Sequence, residues 1–103
     1  MSDSCFQLKS ANLSMTVLEL HYFDATAFEN TLREKIRQAP SLLKDAPLIV
    51  SLERFSEPAS QLDFFQIIGT CRRHGMHVVA VRGGDDDMRR LARNASLSLL
   101  PTQ

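Results

Sequence analysis

The sequence predicts a single α/β domain whose strands and helices follow the order β-β-α-β-α-β-α-β. Two short apolar runs, at 47–52 and 76–81, are each flanked by segments of helical periodicity, which is typical of parallel strands joined by helices. Near the start, apolar and polar residues alternate, which predicts an antiparallel hairpin. The expected fold is a mixed, mainly parallel sheet with an N-terminal antiparallel hairpin, flanked by helices.

The predicted hairpin joins residues 6–9 to residues 13–17 through a short loop of small residues at 10–12. After Val17 the alternation shifts by one residue, so that Leu18 and Leu20 become the apolar positions. A bulge, or a strand that leaves the sheet, has this effect on the pattern.

The first helix is predicted over residues 26–39, because apolar residues recur there at helical spacing. Thr26 has the spacing of a capping box, and Asp24 is the alternative N-cap. Pro40 ends the helix, because it disfavours helical angles at the residue before it. Lys35 falls at the border of the apolar stripe, where its stem lies along apolar surface and its charge stays at the edge.

The remaining elements follow in turn along the chain. Residues 47–52 are a nearly continuous apolar run, as a strand covered on both faces requires. The second helix is predicted from about 57 to 74 and is followed by the strand at 76–81. A third helix over 85–93 opens with aspartates and closes with arginines, which suits the helix dipole. Residues 97–100 form the last short strand.

Composition places the chain among ordinary cytosolic globular domains. Its 103 residues make one domain, 1–103, and the formal net charge of zero predicts no general attraction to nucleic acid or anionic membrane. No signal peptide or membrane-spanning run is visible. Two cysteines do not make a disulfide framework, and Cys71 has the surroundings of a small buried hydrophobe. The sequence therefore favours the cytoplasm.

No constellation of catalytic or metal-ligating residues is recognisable in the sequence. His74 and His77 straddle a glycine between a helix and a strand, so they cannot share a helical face as metal ligands would. The turn at 83–84 precedes a helix, but the aspartates at 85–87 would repel a phosphate there. We therefore predict a protein that is not an enzyme, with no catalytic residues, no metal and no cofactor.

Two apolar features are typical of an interaction domain. In the second helix, apolar residues spread over more than half the circumference, which indicates either deep burial or a surface for a partner. After Pro40, a pair of leucines stands close in sequence to three cations, a combination that suits docking of an acidic partner. The apolar set of the helix is Leu62, Phe64, Phe65, Ile67 and Ile68, and the second set is Leu42, Leu43, Lys35, Arg37 and Lys44.

Three segments resemble the N-terminal domain of the MinC family of septum-site proteins. They are residues 8–17 (LKSANLSMTV), residues 34–47 (EKIRQAPSLLKDAP) and residues 74–81 (HGMHVVAV), and the middle one is the most specific. The resemblance extends over about residues 5–100. It implies a cell-division inhibitor of the Min system that binds the tubulin-like protein FtsZ and antagonises its polymer assembly, so that no septum forms at the wrong site.

The resemblance also implies where the partner binds. The docking residues carried over from the family are Lys9, Ser10, Lys35 and Leu42, on the first hairpin and the first helix with its following loop. Ser10 stands where related sequences carry glycine, and Leu42 where they carry phenylalanine. MinD would bind only through a C-terminal domain that this chain lacks, and that domain would recruit the full-length protein to the inner membrane face.

Two questions stay open at this stage. The slipped opening strand could exchange between protomers, so a homodimer, domain-swapped through the hairpin, is one expectation. The alternative function is a phosphorylation- or ligand-switched regulatory domain similar to anti-anti-sigma modules, for which Ser56 is the candidate modified residue. A capping role for Ser56 competes with that interpretation.

Overall fold

The computed structural model describes residues 4–101, in which parallel strands alternate with helices. The α/β class that the apolar runs predicted is confirmed. The strands are β1 (Thr16–Glu19), β2 (Pro47–Ser51), β3 (His77–Arg82) and β4 (Ser98–Leu100). The helices are α1 (Ala25–Gln38), α2 (Pro40–Leu43), α3 (Phe64–Arg73) and α4 (Asp86–Asn94), with a 3₁₀ turn at Ala59–Gln61.

The four strands form one sheet in the order β1-β2-β3-β4, and every pairing is parallel. The predicted antiparallel hairpin is wrong for the described residues, and so is the predicted order of elements. Residues 4–15 belong to no strand, and the first strand of the sheet begins only at Thr16. A four-residue segment with two apolar side chains gains little from pairing when neither is buried, and Phe6 and Leu8 are 71% and 90% exposed.

The hydrophobic core lies between one face of the sheet and the helices. In a sheet of this order, right-handed crossovers place all the connecting helices on the same face. Leu48, Val50 and Val81 belong to this core. The register sets Ile49 beside Val17 on one side and Ala80 on the other. Ile49 and Ala80 are buried, but none of the three belongs to this main cluster. β2 is buried beyond its first residue, as its apolar run predicted, but only one of its faces contributes to the main core.

Aspartates cap three of the helices. Asp24 accepts a hydrogen bond from the backbone N–H of Ala27, so of the two candidate caps for α1 it is Asp24, rather than Thr26, that the structure uses. Asp63 caps α3 and Asp85 caps α4 in the same way. Each carboxylate satisfies a backbone donor that would otherwise lack an intrahelical partner.

The second long helix starts later than the sequence predicted. Residues 57–63 form a loop and a 3₁₀ turn, and α3 begins at Phe64. The reason is that this segment is tied to the end of β1. Both the N–H and the hydroxyl of Ser56 donate to the carbonyl oxygen of His21 at 2.9 Å, and Glu57 accepts from the N–H of Phe23, also at 2.9 Å. Ser56 therefore anchors the loop instead of capping a helix.

The described helices are all too short, or too polar, to cross a bilayer.

Candidate functional site

A groove of about 590 Å³ runs beside the edge strand β1, between that strand and the helices α1 and α2. Its size is within the range of small binding clefts, and its walls are mainly apolar. All four residues of β1 contribute to it. The lining residues are 16–22, Ala27, Phe28, Thr31, Leu32, Lys35, Gln38, Ala39, Leu42, Leu43, Leu48 and Met76. We call this feature the β1–α1 groove.

Local sequence features fix the walls of this groove. α1 starts at the Asp24 cap, and Phe23 packs against Phe28 with ring centroids 5.8 Å apart. The second wall exists because Pro40 starts a new helix, α2, as a first-turn residue that needs no N–H partner. The sequence had predicted a loop there. α2 holds Leu42 at the groove, where its side chain is 69% exposed.

Two of the four predicted docking residues, Lys35 and Leu42, line the same groove. Lys35 is exposed, and no carboxylate of residues 4–101 lies within ion-pair distance of its ammonium group. An apolar wall with an uncompensated cation at its rim combines the two features that an acidic, partly apolar partner surface needs.

The other two predicted docking residues, Lys9 and Ser10, lie apart from this groove. They belong to residues 5–14, an exposed segment without regular structure that precedes β1, which we call the N-terminal arm. Neither residue lines the groove. The structure therefore brings together Lys35 and Leu42 and leaves the pair on the arm separate.

A cluster of charges joins α1 to the end of α3 on another side of the molecule. Oε2 of Glu29 lies 2.9 Å from Nε2 of His74, 3.2 Å from Nη2 of Arg73 and 3.8 Å from Nη2 of Arg33. The side chains of Glu29 and His74 are only 26% and 22% exposed. The hydrogen bond with His74, and after it the one from Arg73, lowers the pKa of the Glu29 carboxyl. We call this cluster the Glu29 clasp.

A second set of charges lies where the strands end. Glu19 accepts from His21 at 2.8 Å, and this hydrogen bond lowers the pKa of the Glu19 carboxyl. Nε of Arg82 lies 3.3 Å from Oε1 of Glu53, and the buried Ser51 hydroxyl lies 3.4 Å from the same oxygen. These contacts neutralise charge at the sheet edge.

No group of three or more histidine, cysteine, aspartate or glutamate side chains in residues 4–101 is placed to hold a metal ion. His74 pairs with Glu29, and His21 pairs with Glu19. Cys71 is completely buried, and its burial raises the pKa of the thiol to about 11.

Tyr22 and Phe28 also line the groove, a role that the sequence did not predict. Phe28 lies on α1, and Tyr22 lies in the connection between β1 and α1. The exposed tyrosine next to an edge strand was the available signal, since an exposed aromatic residue is often a contact residue. The Glu29 clasp had no signal in the sequence, because its partners are more than forty residues away.

A family model described as the N-terminal domain of the septum formation inhibitor MinC matches residues 6–78 of the chain. The matched region contains residues 6–14 of the arm, both walls of the β1–α1 groove and the Glu29 clasp.

Curated relatives are named as probable septum site-determining proteins. A probable septum site-determining protein MinC from Marinobacter nauticus is 59% identical over 98% of this chain and 43% of its own length. The proteins of that name from Pseudomonas aeruginosa and Erwinia tasmaniensis are 36% and 33% identical, over 96% and 98% of this chain. The chain spans about two fifths of the length of these relatives.

Proposed function

Because the chain belongs to the MinC N-terminal domain family, we propose that it is a cell-division inhibitor that binds FtsZ and antagonises its polymer assembly. The relatives named as septum site-determining proteins support the cellular role. The activity is one of binding: the domain occupies a surface that FtsZ subunits need for their filament contacts, and septa do not form at wrong sites.

The β1–α1 groove is the observation that carries the docking part of this proposal. Lys35 and Leu42 lie on it together, and the groove offers apolar walls beside an ammonium group that pairs with no carboxylate of residues 4–101. Apolar contacts at the centre of an interface supply affinity, and a charge at the rim supplies orientation and a faster association rate. FtsZ would present apolar side chains flanked by a carboxylate to this groove.

Lys9 and Ser10 contribute through the N-terminal arm. Both residues are exposed on a segment that precedes the first residue of β1, the strand that forms one side of the groove. A partner that fills the groove is therefore within reach of the arm, and Lys9 adds a second cation for an acidic surface.

MinD binding belongs, in this proposal, to a separate C-terminal domain and not to residues 1–103. The extra length of the relatives is compatible with such a domain. The domain described here would act in the cytoplasm, and full-length protein would be recruited to the inner membrane face through MinD. Neither nucleic acid nor direct membrane insertion is part of the mechanism.

Sedimentation of FtsZ polymers with GTP tests the proposal. The domain is added at increasing concentration, and both the pelleted FtsZ and the rate of GTP hydrolysis are measured. We expect less pelleted FtsZ at little change in GTP turnover, because the domain disturbs filament contacts and performs no chemistry of its own.

The same measurement is made with the domain fused to an unrelated dimerising segment, since avidity increases the occupancy of a repetitive polymer. If neither the single domain nor the fusion lowers the pelleted fraction at high micromolar concentration, the FtsZ proposal is wrong.

A further inference from the structure

We propose that Glu29 is a positioning residue for the β1–α1 groove: it fixes helix α1 against the end of α3 and so sets the direction in which Lys35 faces the partner. This inference rests on the proposed function of the groove as the docking surface. Its structural part, the anchoring of α1, is tested separately from FtsZ below.

Helix α1 needs such an anchor because it buries little surface of its own. Of its fourteen residues only Leu32 is fully buried, with Phe28 and Ile36 packed partly against the core. The β1–α1 groove separates part of α1 from the edge strand. These apolar contacts form a single stripe along α1, and they leave the helix free to roll about its own axis, because apolar packing is not directional.

The Glu29 clasp supplies the missing direction. One carboxylate oxygen meets Arg73 and His74 from the end of α3 and Arg33 from α1 itself. These contacts are charge-assisted and have a fixed geometry. The side chains of Glu29 and His74 are only about a quarter exposed. Arg73 is held in turn by the hydroxyl of Thr70, at 3.4 Å.

The clasp and the docking lysine lie on different sides of the same helix. Glu29 and Lys35 are six positions apart, which is about 240° around the helix and roughly 9 Å along its axis. A rotation of α1 about its own axis would therefore break the clasp, and it would also turn Lys35 relative to the groove. The orientation of the charge at the groove rim therefore depends on a contact made by a different face of the same helix.

Glu34 provides a matched control on the same helix. Its carboxylate pairs with Arg37 and accepts from Gln38, and both partners belong to α1. Glu34→Gln removes the same charge as Glu29→Gln, but it breaks no contact between helices.

Backbone amide hydrogen exchange on wild type, Glu29→Gln and Glu34→Gln tests the anchoring. In Glu29→Gln we expect amides of α1 to exchange about tenfold faster, the effect of losing a charge-assisted hydrogen bond. Amides of α4, which is not part of the clasp, should keep their wild-type rates in both variants. Glu34→Gln should match wild type throughout.

Unchanged α1 exchange in Glu29→Gln would overturn the proposal. So would equal acceleration in α1 and α4, since that is a general loss of stability without any specific effect on the helix. If Glu29→Gln does not fold, Arg73→Gln removes one of the contacts and should give the same pattern at smaller amplitude.

FtsZ sedimentation then tests the functional part. We expect Glu29→Gln to need a several-fold higher concentration than wild type or Glu34→Gln for equal inhibition, at a temperature where all three are folded. Looser α1 with wild-type inhibition would reject the positioning role. Looser α1 while even wild type fails to inhibit would reject the docking proposal and leave the anchoring of α1 established.

Discussion

Lys35 and Leu42 reach the same groove from two different helices, although the sequence places them in one helix and the loop after it. Leu42 is held there by α2, a four-residue helix that begins at Pro40. At the scale of single residues, the candidate site is therefore an ammonium group and an exposed leucine side chain on the same groove.

Charge reversal at this site should separate binding from folding. Lys35→Glu and Lys9→Glu are expected to abolish inhibition of FtsZ assembly and to change the free energy of unfolding by less than about 0.5 kcal/mol, because both lysines are exposed. Arg93→Glu is the control, since Arg93 is exposed on α4 and belongs neither to the groove nor to the arm. Pelleted FtsZ and thermal melting are the measurements; wild-type inhibition by both variants would reject the assigned residues.

The two cysteines should differ strongly in reactivity. Burial raises the pKa of the Cys71 thiol to about 11, so at about pH 7.5 very little thiolate is present, whereas Cys5 is exposed. A thiol reagent such as DTNB should modify Cys5 quickly in the native protein and Cys71 only after unfolding. A Cys5→Ser variant should show no fast reaction; rapid labelling of Cys71 in that variant would show that the thiol is accessible.

The Glu29 carboxyl predicts an acid-sensitive contribution to stability. Hydrogen bonds with His74 and then Arg73 lower the pKa of this carboxyl in the folded protein. Its contribution to stability is therefore present above the pKa of the unfolded chain, about 4.3, and is lost as pH falls through the lower pKa of the folded protein. The difference in melting temperature between wild type and Glu29→Gln should shrink as pH falls below about pH 4. A difference that is the same at pH 3 and pH 7 would mean that the charge plays no part.

At the scale of elements, three aspartates determine where the long helices begin. Asp24, Asp63 and Asp85 each accept from a backbone N–H of the first turn. The sequence identified the region of every long helix, but it placed the start of α3 some seven residues too early. Ser56 looked like a cap, and only its contact with His21, thirty-five residues away, shows that it holds a loop.

Two glycines should respond in opposite ways to alanine. Gly83 has a φ of +78°, and a Cβ there would lie 2.7 Å from Cγ of Glu53 and 3.1 Å from its backbone nitrogen, so Gly83→Ala should cost about 1–3 kcal/mol or more. Gly69 lies inside α3, and a Cβ added there would have open space within 4 Å, so Gly69→Ala should stabilise by roughly 0.5–1 kcal/mol. Urea unfolding of both variants measures the two values; a neutral Gly83→Ala would show that the turn can relax.

At the scale of the whole molecule, the N-terminal arm makes the protein longer than its sequence length suggests. The radius of gyration is 15.4 Å, against about 13 Å for an average domain of 100 residues, and the longest axis is 55 Å. Phe6 and Leu8 are exposed on this arm, while β1 is an edge strand with the groove beside it. The sequence raised exchange of an opening hairpin between two copies. Because residues 5–14 form an arm instead of a hairpin, the exchanged segment would be this arm, and such a dimer remains a prediction.

Sedimentation velocity over a wide range of concentrations tests that hypothesis. A dimer held by the arms should dissociate on dilution and should be lost in a variant with Phe6→Ser and Leu8→Ser, whose melting temperature as a monomer should match that of wild type because both side chains are exposed. A monomer at every concentration, or a dimer that survives both substitutions, would exclude exchange through these residues.

The sequence by itself determined the α/β class, the positions of the buried strands, the approximate helices and the family. These depend on periodicity within ten to twenty residues and on short motifs, which are local properties of the chain. The same local reasoning placed Lys35 at the border of an apolar stripe, and Lys35 is exposed at the rim of the groove.

Only the tertiary structure decided that all strands pair in parallel, that residues 5–14 form an arm instead of a hairpin strand, and that Glu29 meets Arg73 and His74. Alternation of apolar and polar residues shows that a segment can be a strand. Whether it pairs depends on whether an available strand edge and the burial of one face stabilise it by more than the conformational entropy lost on ordering. The contacts of Glu29 span more than forty residues, so they are determined by how α1 and α3 pack together and not by any pattern within either helix.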